Sequence, residues 1–109
     1  MNDPLLYVEK LEELVTLARD AKTPFEKAAV FSATHVITEA FYKEEEQFSG
    51  YALEKVTNAR WHICAAVGYD ITNGIEEQQH RVWALGDIST LRNLLSEKVS
   101  SDGQDSIQK

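Results

Sequence analysis

The chain has 109 residues, 43% of them apolar, and its 18 acidic and 11 basic side chains give a formal net charge of −7. That length holds one domain, and the acidic surplus opposes electrostatic attachment to nucleic acid or to an anionic membrane surface. Neither nucleic acid nor membrane is therefore expected as a partner, and no apolar run approaches the roughly 20 residues of a bilayer crossing.

A single cysteine, Cys64, excludes an internal disulfide, and Met1-Asn2-Asp3-Pro4 lacks the basic flank and apolar run of a secretory signal. Both features predict a cytoplasmic, reducing setting.

Asp3 followed by Pro4 is an N-cap with proline at the first helical position, where its missing N–H is no loss. The first helix is predicted from about Pro4 to Asp20, with Tyr7, Val8, Leu11, Leu14, Val15 and Ala18 on one arc. Thr23-Pro24-Phe25-Glu26 combines a capping box with the same proline signal and starts the second helix. Its expected core arc is Phe25, Ala29, Ala33, Val36, Ile37, Ala40, Phe41 and Phe48, with Ser49-Gly50 as the stop.

The third helix, about Tyr51 to Asp70, carries the stripe Ala52, Val56, Ala59, Ile63 and Val67. Arg60 falls inside that arc, which predicts either a side chain snorkelling at the edge of the core or, as the favoured reading, an ion pair with a carboxylate of a neighbouring helix, Glu12, Glu13 or Glu39. Asn73-Gly74-Ile75-Glu76 reads as a turn that leads into a fourth helix near Ile75. There the apolar stripe changes sides: Ile75, Val82 and Leu85 share one side, and Ile88, Leu91, Leu94 and Leu95 the other. A glycine stop followed by an aspartate N-cap at Gly86-Asp87 would reconcile the two sets, so a break or kink is expected there.

Short connections make successive helices antiparallel neighbours. The expected fold is an all-α antiparallel bundle of four helices, or five if the last one breaks, over residues 1–99. Residues 100–109 have too little apolar surface to offset ordering entropy and are expected to form a disordered tail.

The functional signals are weaker. Phe31, His35, Thr38 and Tyr42 on the second helix, and Tyr51, Asn58, His62 and Tyr69 on the third, lie away from the main apolar arcs. Side chains with an apolar body and a polar tip are enriched at protein interfaces. Phe31, His35, Tyr42, Tyr51, His62 and Tyr69 are accordingly the expected partner-binding residues, and a homodimer through the second and third helices, beside an unidentified protein partner, is the expected assembly. The predicted function is a small acidic interaction or regulatory module without catalysis and without a cofactor.

The alternative is a metal-dependent enzyme with a site drawn from His35, Glu39, His62 and His80, because imidazoles and carboxylates from facing helices can hold a transition metal. Glu77-Gln78-Gln79-His80 has the Glu-x-x-His spacing of di-metal bundles, but the second copy those sites need is missing. Cys64 reads as a small buried side chain with an unactivated thiol.

Overall fold

The computed structural model describes residues 3–70 and 72–97 in full and 98–108 by the course of the backbone alone. Four helices, α1 (Pro4–Asp20), α2 (Pro24–Lys43), α3 (Gly50–Ala66) and α4 (Glu77–Gln108), are joined by short connections, one of them containing the 3₁₀ turn Glu45–Gln47. Each helix packs on the next, and α4 returns to α1, so the four close into a square. The pairs Tyr7–Phe41, Phe31–Tyr69, His62–His80 and Glu12–Arg92 run in opposite order on the facing helices, which makes every neighbouring pair antiparallel. The expected tail at 100–109 lies outside the fully described residues, and no helix among the described residues is long and apolar enough to cross a membrane.

The helix starts follow local chemistry. Asp3 accepts from the Leu5 amide at 3.1 Å. Thr23 Oγ1 accepts from the Glu26 amide at 3.1 Å while Glu26 Oε1 accepts from the Thr23 amide at 2.8 Å, closing the capping box. The Thr23 and Lys22 amides, both donating to this carboxylate, hold the Glu26 carboxyl below its usual pKa. Ser49 caps α3 by accepting from the Ala52 amide at 3.0 Å, and Gly50 is the first residue of that helix, so the pair starts α3 and does not end α2.

α3 ends at Ala66, earlier than the expected Asp70, because Gly68 turns the backbone left-handed at φ 81°. The Tyr69 amide reaches the Cys64 carbonyl at 2.9 Å and the Gly68 amide the Ala65 carbonyl at 3.0 Å, a Schellman cap that satisfies carbonyls left without helical partners. Asn73 and Gly74, both with positive φ, form the expected turn, and α4 begins at Glu77, two residues later than expected.

Two expectations are corrected. On α2 the buried stripe is Val30, Thr34, Thr38 and Phe41, whereas Phe25 is 83% and Val36 69% exposed. Hydropathy missed this stripe because two of its members are threonines. Each satisfies its hydroxyl inside its own helix, Thr34 donating to the Val30 carbonyl at 2.7 Å and Thr38 to the Thr34 carbonyl at 2.8 Å, so neither is left unpaired in the core.

The second correction concerns α4, which passes through Gly86-Asp87 without a break. Its core stripe is His80, Ala84, Ile88, Leu91 and Leu95, continuous at helical spacing, while Val82 and Leu85 are exposed. Counting Val82 and Leu85 as core created an apparent change of side. Gly86 is therefore an interior helical position, and a Cβ there meets nothing within 4 Å. Gly86→Ala is expected to stabilise the protein by up to about 1 kcal/mol, read as a higher denaturation midpoint.

The Arg60 guanidinium lies over the Tyr42 ring, 5.3 Å from its centroid. Glu12, one of the carboxylates expected to hold it, is instead bonded to Arg92 at 3.0 Å.

Candidate functional site

The densest polar chemistry lies between α3 and the first turns of α4. His80 occupies a core position at 0% exposure, on the same stripe as Ala84 and Ile88. His62, also buried, sits on the edge of α3 that faces α4. Their Nδ1 atoms are 3.0 Å apart, and His80 Nε2 lies 3.1 Å from the Thr72 carbonyl oxygen.

These two distances fix the tautomers of the neutral pair. A carbonyl only accepts, so His80 carries its proton on Nε2 and donates to Thr72. His80 Nδ1 is then a bare acceptor, and His62 must donate to it from Nδ1. His62 Nε2 is left as a lone pair, 3.9 Å from Asp87 Oδ2. The other oxygen of that carboxylate takes the Lys55 ammonium at 3.4 Å.

Aromatic rings enclose the pair. Trp61 lies 4.6 Å and Trp83 5.4 Å from the His62 ring, centroid to centroid, and both meet His80 edge-on at 5.5 and 5.8 Å. Burial holds the His62 pKa below its ordinary value, Asp87 opposes that shift, and His80 adds to it. Asn58, His62, Trp83, Gly86, Asp87 and Thr90 line an open groove beside the pair. Trp83 stands 41% exposed on its wall.

A second feature lies across the bundle. Leu14 and Leu17 of α1, Ala21, and Ala29, Val30 and Ala33 of α2 line a largely apolar groove of about 350 Å³, whose wall also includes the acidic side chains Asp20 and Glu26. The alanines keep it open, and Phe25 projects from the start of α2, one helical turn before Ala29. This groove falls on the arc that hydropathy assigned to the core of α2.

The six residues expected to bind a partner do not share one face. Phe31 stacks on Tyr69 at 4.9 Å and tilts against His35 at 4.5 Å, forming a cluster where α2 meets the end of α3. Tyr42 shares a hydrogen bond of 2.5 Å with Thr57. Tyr51 lies under the Lys55 ammonium, and His62 is turned inward to His80.

Of the four metal candidates, His62 and His80 come together but spend their facing nitrogens on each other, and His35 and Glu39 lie exposed on α2. Among the described residues no group of three or more His, Cys, Asp or Glu side chains is placed to hold a metal ion. Sequence reasoning missed Thr72, Asp87, Lys55 and Trp83. The spacing of His80, Ala84 and Ile88 was the signal that would have turned His80 inward.

Cys64 Sγ lies 3.9 Å from His35 Nε2. The thiol is 1% exposed, and burial, reinforced by Asp70, pushes its pKa up to about 11. It therefore remains a protonated thiol at neutral pH. Native protein at pH 7.5 is expected to react with a thiol-directed aromatic disulfide far more slowly than urea-unfolded protein does, as read from released chromophore.

Compared with protein-family models, with curated proteins and with solved structures, the chain finds no match.

Proposed function

We propose that the protein is a small, non-catalytic interaction module that pairs with a second copy of itself through the face shared by α1 and α2. The observation that carries this reading is Phe25, a phenylalanine 83% exposed one helical turn before Ala29, which lines the groove. A two-fold axis turns such a knob and such a groove into two identical contacts, each ring entering the other copy's groove. Val36 and Leu17, both exposed, extend the same apolar band.

The size of the face supports the pairing. α1 and α2 have 17 and 20 residues, and at about 1.5 Å per residue and about 9 Å of width for each of the two helices the whole face presents roughly 500 Å². Two copies would bury on the order of 1,000 Å², the lower bound for a specific interface. The net charge of −7 disfavours tight association over most of the surface, and the run from Ala28 to Thr38 on α2 carries no formal charge. The buried thiol of Cys64 fits a cytoplasmic, reducing setting.

Light scattering after size exclusion tests the proposal. At micromolar concentration the mass should be about twice the 12.3 kDa chain. Phe25→Asp should return it to the monomer with helicity unchanged, whereas Tyr69→Asp, on the α2–α3 side, should not. A wild-type monomer at millimolar concentration would overturn self-association, and a dimer indifferent to Phe25→Asp would overturn this face.

A further inference from the structure

We propose that His62 and His80 form a site for one shared proton, bounded by the Thr72 carbonyl at one end and the Asp87 carboxylate at the other. The neutral pair has its internal bond and its bond to Thr72, but it leaves the His62 Nε2 lone pair facing Asp87 Oδ2 at 3.9 Å. Two acceptors confront each other, and the missing piece is a hydrogen between them.

One added proton supplies it. If it resides on His62, Nδ1–H still donates to His80 and the new Nε2–H donates to Asp87. If the proton of the internal bond crosses to His80, that ring donates from Nε2 to Thr72 and from Nδ1 to His62, and His62 again donates from Nε2 to Asp87. Both arrangements satisfy every nitrogen once Asp87 Oδ2 closes from 3.9 Å to hydrogen-bonding distance of His62 Nε2. They differ only in which side of the 3.0 Å bond holds the hydrogen.

A second proton has no place. With both rings charged, two Nδ1–H groups point at each other across 3.0 Å, and neither nitrogen can accept. The geometry thus admits the first proton with a new charge-assisted bond and admits the second only if the rings part.

The charges acting on the pair agree with one proton. Asp87 on α4 is the carboxylate facing His62, and Lys55 on α3 already neutralises its other oxygen. Tyr51 meets the network at Lys55. Burial holds the His62 pKa below its ordinary value. When the proton is taken up, Asp87 gains a bond to His62 in competition with Lys55, and the groove walled by Trp83 changes from an acceptor pair to a closed donor–acceptor bridge. The site therefore couples pH to the α3–α4 seam, independently of the α1–α2 face.

Imidazole ¹⁵N NMR of the wild-type chain tests this directly. At pH 8, His62 should show the Nδ1–H tautomer and His80 the Nε2–H tautomer. As the pH falls, both sets of resonances should move together in one step that corresponds to a single proton, with His35 as a histidine outside the pair. Asp87→Asn should keep the alkaline tautomers and move that step down by roughly one pH unit. An Nε2–H tautomer at His62 at pH 8, or uptake of two protons in separate steps by a still-folded protein, would overturn the proposal. The wild-type spectra decide it even if the variant does not fold.

Discussion

His80→Ala is expected to lower the unfolding free energy by at least about 4 kcal/mol, and the loss should have two separable parts. The first is a cavity, because the ring is wholly buried between Trp61, Trp83 and the α3 stripe. The second is polar: without His80, the Thr72 carbonyl and the His62 Nδ1–H lose their partners, at about 1–3 kcal/mol for each group left unsatisfied. His80→Phe refills the volume and leaves the polar loss, so it should recover part of the stability and not all of it. Denaturant midpoints with the slope checked for constancy measure both variants. Full recovery by phenylalanine would mean that the hydrogen bonds to Thr72 and His62 contribute nothing.

The same network fixes the direction of the pH dependence. The His62 pKa is depressed in the folded state, so between its ordinary value and the depressed one the unfolded chain binds more protons than the native one. That contribution is fully present above the ordinary value and is lost as the pH falls through the folded one. A denaturation midpoint that drops on acidification from pH 7.5 toward 5, and drops less in His62→Gln, is the expected outcome.

Phe41→Ala should destabilise by roughly 3–5 kcal/mol, whereas Phe25→Ala should change monomer stability by less than about 0.5 kcal/mol. Phe41 is fully buried, edge-on to Tyr7 at 6.2 Å and tilted against Phe48 at 5.3 Å. Phe25 is the most exposed large apolar side chain among the described residues. Chemical denaturation at a concentration below dimer dissociation isolates the monomer term. Equal losses from the two substitutions would show that Phe25 is packed within its own chain. At higher concentration Phe25→Ala should lower the apparent midpoint, because association stabilises the folded state by mass action.

Phe25 and Phe41 also mark how far hydropathy reads α2. They sit on the same predicted arc, since a positional pattern records side-chain polarity and not whether a neighbour covers the position. α1 and α3 cover the strip through Thr34 and Thr38, whose polarity is cancelled by bonds to their own backbone. The apolar strip through Phe25, Ala29 and Val36 consequently turns outward. In α4, Gly86-Asp87 resembled a boundary because Val82 and Leu85 were counted as core while His80 was not. A histidine is placed inside only when its two nitrogens have partners, and Thr72 and His62 supply them from a loop and from another helix.

The sequence by itself determined the four helices, their caps at Asp3 and Thr23, and the turn at Asn73-Gly74. These depend on contacts within a few residues, so local chemistry suffices. It also determined the core face of α1, where every apolar position at helical spacing is covered. Only the tertiary structure decided which arcs of α2 and α4 are buried, that Arg60 lies on Tyr42, and that His62, His80, Asp87 and Lys55 meet. Those outcomes depend on which helix stands beside which and in what register, and a buried polar group becomes favourable only when its distant partner is in place.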